Sequence, residues 1–246
     1  MYSVILNQYE TVSLEYLNER ALLQNRIDKK FVLPFATLTK ILQECKNEYY
    51  VLNIDGNCIF DYTNLYYDTP GLKYYHQHHS GRANRYKIRE RIYENSGSQF
   101  IEVKQKKSNG KTYKYRVASE NFEQSLEFLN QFSDINSTKL INTLKNNFKR
   151  ITLLHKSKVE KVTIDFNINF EIGADLISYD NILIAEIKTE NNSNIDFCKI
   201  MKSYSVREGA LSKYCLGMIS LNNNIKHNNF KYLFSKIKKQ DLNGIF

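Results

Sequence analysis

Charge alternates with apolar and aromatic side chains three times through residues 82–116, RANRYKIRERIYENSGSQFIEVKQKKSNGKTYKYR, with the two-residue period of a β-strand. The first run sets Lys87, Arg89 and Arg91 on one face against Tyr86, Ile88 and Ile92 on the other. The second sets Glu102, Lys104 and Lys106 against Ile101 and Val103, and the third Lys114 and Arg116 against Tyr113, Tyr115 and Val117. Three consecutive strands with one basic face are either an antiparallel sheet with a wet side or the wall of an anion site.

The same arrangement recurs outside this stretch. Arg26, Asp28 and Lys30 share a face, as do Lys161, Thr163 and Asp165, and Glu186 and Lys188. Together these strand faces hold most of the formal net charge of +9, whereas surface charge normally mixes its signs and spreads over helices and loops. A basic excess of this size implies an anionic partner: a phosphate-rich ligand, nucleic acid or an acidic membrane surface. Nucleic acid ranks low, because alternation puts Tyr86, Tyr113 and Tyr115 on the face opposite the arginines, where they cannot stack bases beside them. A sheet curled into a barrel with this face inward accounts for the pattern only if water, a polyanion and bound cations fill it.

Elsewhere, residues 13–23, 36–46, 119–131, 137–148, 195–207 and 227–239 are expected to be helices, the last of them basic, with Ser119 capping the third. Further strands are expected at 49–54, 59–67 and 150–154, the first two joined by the turn signal Asp55-Gly56-Asn57. Residues 72–79 read as a surface loop, and His76, His78 and His79 lack the converging partners of a zinc site. Residues 165–176 begin like a calcium loop, but Phe170 and Leu176 stand where glycine and glutamate are required. Cys45, Cys58, Cys198 and Cys215 form no Cys-x-x-Cys pair and are expected as free thiols. The start of the chain lacks the pattern of a signal peptide, and no apolar run approaches the ~20 residues of a membrane helix. These features predict a soluble cytoplasmic protein that does not span a membrane, so any coupling to export would come through a membrane-protein partner. No linker, repeat or boundary interrupts the sequence, which predicts one domain over 1–246 with a core at about 24–220 and a helix flanking each end.

Seven short motifs in order carry a resemblance: Arg26-x-Asp28-x-Lys30-Phe31, Arg89-x-Arg91-x-Tyr93, Glu102-x-Lys104, Lys114-x-Arg116, Thr163-x-Asp165, Glu186-x-Lys188 and Ser212-Lys213-Tyr214. Over residues 26–214 the chain resembles the VTC domain, the polyphosphate polymerase branch of the triphosphate tunnel metalloenzymes and a relative of the CYTH proteins. The resemblance implies an α+β fold: an antiparallel β-barrel, the triphosphate tunnel, with a charged interior and helices packed outside. It implies an ATP-dependent polyphosphate polymerase, a phosphotransferase that moves the terminal phosphoryl group of ATP onto inorganic polyphosphate with Mn2+ or Mg2+. The alternatives are a tunnel-fold triphosphatase and a non-catalytic polyphosphate-binding module. By the same resemblance Lys30, Arg89, Arg91, Lys104, Lys114, Arg116, Lys188 and Lys213 hold the triphosphate or the growing chain. Arg89, Arg91, Lys104, Lys156 and Lys213 serve the transfer, and Glu186 binds metal with support from Glu102 and Asp165. One position departs from the family: Leu154-His155-Lys156 stands where Tyr-x-Arg is usual, so that Lys156 supplies the charge without the bidentate grip of arginine.

Overall fold

A computed structural model describes residues 2–20, 27–190, 194–222 and 224–243; Arg26, the end of the first expected helix and most of the Asn-rich stretch at 191–194 lie outside the described residues. The chain opens with α1 (Tyr2–Leu6), β1 (Thr11–Val12) and α2 (Leu14–Arg20), followed by β2 (Ile27–Pro34), α3 (Leu38–Cys45), β3 (Tyr49–Leu52) and β4 (Phe60–Asp68). Then come α4 (Lys73–His79), the three strands of the basic stretch, β5 (Arg85–Tyr93), β6 (Ser98–Lys106) and β7 (Thr112–Ala118), and α5 (Leu126–Asn130). The second half comprises β8 (Ile141–His155), β9 (Glu160–Ile172), β10 (Asp175–Tyr179), β11 (Ile182–Thr189), α6 (Asp196–Ser203), α7 (Lys213–Leu221) and α8 (Lys231–Asn243).

Three local expectations are corrected. Residues 137–148 are not a helix: from Ile141 onward they belong to β8, which pairs with β4 along one edge and β9 along the other, so backbone bonding on both sides overrides local helix preference. The expected helix at 119–131 shrinks to α5 and one preceding turn, and Ser119 donates to the Asn121 carbonyl instead of capping it. Residues 73–79 are helical, not a loop, because the Asp68 carboxylate accepts from the N–H groups of Tyr74 (2.9 Å) and Tyr75 (2.8 Å) and satisfies the first turn.

The sheet runs β2-β11-β9-β8-β4-β5-β6-β7 with every neighbour antiparallel. Strand β10 adds to β9, β3 to β8, and β1 lies parallel to β3. Closure into a barrel is also corrected: among the described residues β2 and β7 do not pair. Instead the free edge of β2 is met by Gly209, whose N–H donates to the Lys30 carbonyl at 2.9 Å, and the chain then turns into α7. Among the described residues no helix is long and apolar enough to cross a membrane. All four cysteines are free.

Helices α1, α3 and α6 cover one face of the sheet, where Phe31, Leu33, Ile151, Leu153, Ile164, Leu183 and Ile187 are buried with Ile41 and Phe197. Strands β5 and β6 bury Tyr86, Ile88, Ile101 and Val103 against Leu129 of α5. Each such side chain contributes about 1.5–3 kcal/mol when fully removed from water. The opposite face carries the charge, and α7 packs onto part of it through Tyr214, Cys215 and Met218. Gly217 permits this approach, since a Cβ there would meet Leu144 Cδ2 at 2.7 Å and the Phe170 ring. Gly217→Ala is therefore expected to overpack the α7 seat by about 1–3 kcal/mol and lower the melting temperature by about 5 °C, read by calorimetry.

Candidate active site

Antiparallel register gathers the predicted side chains on one face. Lys30 on β2 faces Glu186 on β11, which faces Thr163 on β9, which faces Thr152 on β8. Two residues along, Asp165 lies opposite Arg150, and across β4 and β5 the series continues through Asn64 opposite Arg91 and Tyr66 opposite Arg89. Arg89 pairs with Glu102, and Lys104 lies between Lys87 and Lys114.

Two buried carboxylates organise the cations. Glu102, 2% exposed, accepts from Arg89 Nε (2.7 Å) and Nη2 (2.5 Å) through Oε2 and contacts Lys114 Nζ at 2.6 Å through Oε1. Asp165, also 2% exposed, takes Arg150 Nε at 2.6 Å and Nη2 at 2.8 Å on its two oxygens, and Lys213 Nζ on Oδ2. Burial alone would raise these acids, but Arg89, Arg91 and Lys114 hold Glu102 far below the usual carboxylate range, and Arg150 and Lys213 hold Asp165 at about 2. Beneath them Tyr62 and Phe148 stack at 5.2 Å, with Arg91 (5.5 Å) and Arg150 (5.0 Å) over the Tyr62 ring and Lys213 at 4.6 Å over Phe148.

Glu186 is placed differently. Lys30 (3.3 Å) and Lys188 (3.4 Å) both contact Oε1, and the neighbouring Thr163 hydroxyl, 4% exposed, has no hydrogen-bond partner. Burial raises its pKa, but Lys188 and Lys30, then Arg150 and Lys213, outweigh it and keep Glu186 ionised. Divalent metals at phosphate sites are commonly held by one or two carboxylates, with phosphate oxygens and water completing the shell. Glu186 beside an unsatisfied hydroxyl fits that arrangement. Glu102 and Asp165, expected as metal ligands, are instead seen paired with cations: Arg89 on Oε2 and Lys114 near Oε1 of Glu102, and Arg150 and Lys213 on Asp165. No group of three metal-ligating side chains occurs among the described residues.

Lys30, Arg89, Arg91, Lys104, Lys114, Lys188 and Lys213 thus stand on one face. Arg116 lies at its exposed rim, 4.8 Å over the Phe100 ring. Lys156 is not part of it: it follows β8, its N–H donates to the Glu48 carbonyl, and its ammonium pairs with Glu10 and lies 5.4 Å over Tyr50. Arg150, which sequence reading missed, takes that place. The signal was present in Phe148-Lys149-Arg150, an aromatic-x-arginine triplet on the strand before Thr163-x-Asp165, but it was hidden by reading residues 137–148 as helix. Asn64 and Tyr62 were also missed, and Ser212, given no role of its own within its motif, accepts from Lys87 Nζ at 2.8 Å.

Crowded cations weaken one another's protonation. Burial, then Lys104, Arg89 and Lys30, push Lys87 down to about 7 despite the nearby Cys215 thiol. Burial and Arg150 push Lys213 down to about 8 against the pull of Asp165 and Glu186. A bound polyanion favours the charged amines and raises both values, so binding takes up protons once the pH exceeds the free-state values. Tripolyphosphate affinity is therefore expected to fall as the pH rises from about 7 to 9, by up to about tenfold per pH unit for each proton taken up. Titration calorimetry in buffers of different ionisation enthalpy checks both the fall and the uptake.

The VTC domain family matches residues 25–222, and the chain belongs to that family. Among solved structures it is similar to a candidate adenylate cyclase from Bacillus halodurans, at 13% identity and a TM-score of 0.52, covering 77% of this chain and 96% of that one. A candidate adenylyl cyclase from Hippeastrum, described as having a dominant triphosphatase activity, aligns at 12% identity and a TM-score of 0.49, over 82% of this chain and 100% of that one. No curated protein matches the sequence.

Proposed function

We propose that the protein is a metal-dependent polyphosphate polymerase that transfers the terminal phosphoryl group of ATP to a growing polyphosphate chain. The observation that carries this reading is the gathering of cations from β2, β5, β6, β7, β8, β11 and α7 onto one face of a VTC-family chain, with Glu186 as the carboxylate suited to a divalent ion. Phosphoryl transfer depends mainly on alignment and on neutralising charge spread over the phosphoryl oxygens. Arg91 offers a planar fork for those oxygens, Arg150 over the same aromatic ring adds its charge and the N–H groups not given to Asp165, and Lys30, Lys188 and Lys213 act as movable point charges. Mn2+ or Mg2+ held by Glu186 beside the Thr163 hydroxyl would neutralise charge on the terminal phosphates.

The acceptor in chain growth is a phosphate oxygen that is already anionic and needs no base. Glu102 and Asp165 are committed to Arg89, Lys114, Arg150 and Lys213, and Glu186 is reserved for the ion, an arrangement that serves transfer to an anionic acceptor. Incubation with ATP and Mn2+ and separation of the products on a gel tests the proposal. A ladder of chains is expected; free phosphate alone means a triphosphatase, and no turnover with retained chain binding means a binding module.

A further inference from the structure

The guanidiniums of this face differ in what holds them. Arg89 and Arg150 each donate twice to a carboxylate, at 2.5–2.7 Å on Glu102 and 2.6–2.8 Å on Asp165. Arg91, 7% exposed, instead donates through Nε to Asn64 Oδ1 at 3.0 Å, and its ion pair with Glu102 is long at 3.9 Å. Asn64 is fully buried and donates to Asn146 Oδ1 at 3.4 Å, whose own amide donates to the Asn169 carbonyl at 2.9 Å. A neutral amide ladder from β4 through β8 to β9 therefore fixes one edge of Arg91.

An amide orients a guanidinium without cancelling its charge, whereas a carboxylate at the same distance does both. We propose that Asn64 is a positioning residue that holds Arg91 by an amide and so leaves its charge less cancelled than those of Arg89 and Arg150, making it the strongest guanidinium grip on an oligophosphate at this face. The inference rests on the reading of this face as an oligophosphate site. Burial, with Arg89 adding and Glu102 opposing, disfavours the charge of Arg91 in the free protein, and a bound phosphate relieves that imbalance.

Titration calorimetry with inorganic tripolyphosphate tests it, using Asn64→Asp and Asn64→Leu alone and in an Arg91→Gln background. Asn64→Asp changes almost no volume and supplies the missing carboxylate; it is expected to weaken binding about thirtyfold with an unchanged or higher melting temperature. Asn64→Leu leaves Arg91 charged but unaligned and is expected to weaken binding about threefold. Both losses are expected to disappear in the Arg91→Gln background, a coupling that a purely structural role would not produce. Asn64→Asp within about twofold of wild type, or equal losses in both backgrounds, overturns the inference. If Asn64→Asp does not fold, the Asn64→Leu cycle decides alone. Wild-type protein that binds no tripolyphosphate overturns the proposed function itself, an outcome distinct from a wild type that binds and an Asn64→Asp that is unaffected.

Discussion

Replacing Arg150 with leucine is expected to lower the melting temperature by about 6–12 °C and to remove measurable phosphoryl transfer. Arg150 supplies both of its hydrogen bonds to Asp165, which is 2% exposed, from a strand paired directly to that of its partner. Without it, Asp165 keeps Lys213 but loses the contacts that satisfy two oxygens at once. Removing one member of a buried ion pair costs about 3–5 kcal/mol, because the desolvated charge left behind has too little to offset it. Lys213 would then be drawn wholly to Asp165, so two cations leave the phosphate site. The double variant Arg150→Leu with Asp165→Leu separates the effects: it is expected to regain most of the stability and none of the activity. Scanning calorimetry and phosphate-release assays on the three proteins check this, and a single variant melting within about 2 °C of wild type would refute the pairing argument.

Glu186→Gln is expected to reduce metal-dependent turnover by about a thousandfold or more while leaving tripolyphosphate affinity equal to or tighter than wild type. The opposite signs follow from its surroundings. Glu186 contributes negative charge to a phosphate site and is ringed by Lys30 and Lys188, both within 3.4 Å of one oxygen. Glutamine cancels the repulsion toward phosphate and frees those lysines, so binding holds or improves. It also removes the anionic oxygen that a divalent ion requires, so the reaction fails. Glutamine at Glu102 has a different expected outcome: Arg89, Arg91 and Lys114 would lose their shared counter-charge, and stability would fall with activity. Comparing turnover, affinity and melting temperature for the two variants tells a metal ligand from a structural counter-charge.

Much of this face was legible in the sequence because strand alternation fixes which side chains share a side. Lys87, Arg89 and Arg91 against Ile88, and Glu186 and Lys188 against Ile187, needed only a period of two. Cross-strand register was not legible, and it decides the chemistry. It places Asp165 opposite Arg150 and Glu102 between Arg89 and Arg116, which makes counter-ions of two carboxylates that look equivalent to Glu186 in sequence. The helix read at 137–148 had a physical cause as well: Leu140, Leu144 and Phe148 recur at near-helical spacing, and only pairing along both edges of β8 shows that this segment is extended. That misreading concealed Arg150 and left Lys156 as its apparent substitute. Asn64 carried no sequence signal, since a buried asparagine is recognisable only from the partner it holds.

A crystal structure of the protein with tripolyphosphate bound tests the central claim most directly. Phosphate density is expected on the cationic face between β2 and β5, with oxygens within hydrogen-bond distance of Arg91, Arg150, Lys30 and Lys213, and with Glu186 facing the ion that accompanies it. Density confined to the exposed rim at Lys104, Lys114 and Arg116, or absent from this face altogether, would contradict it.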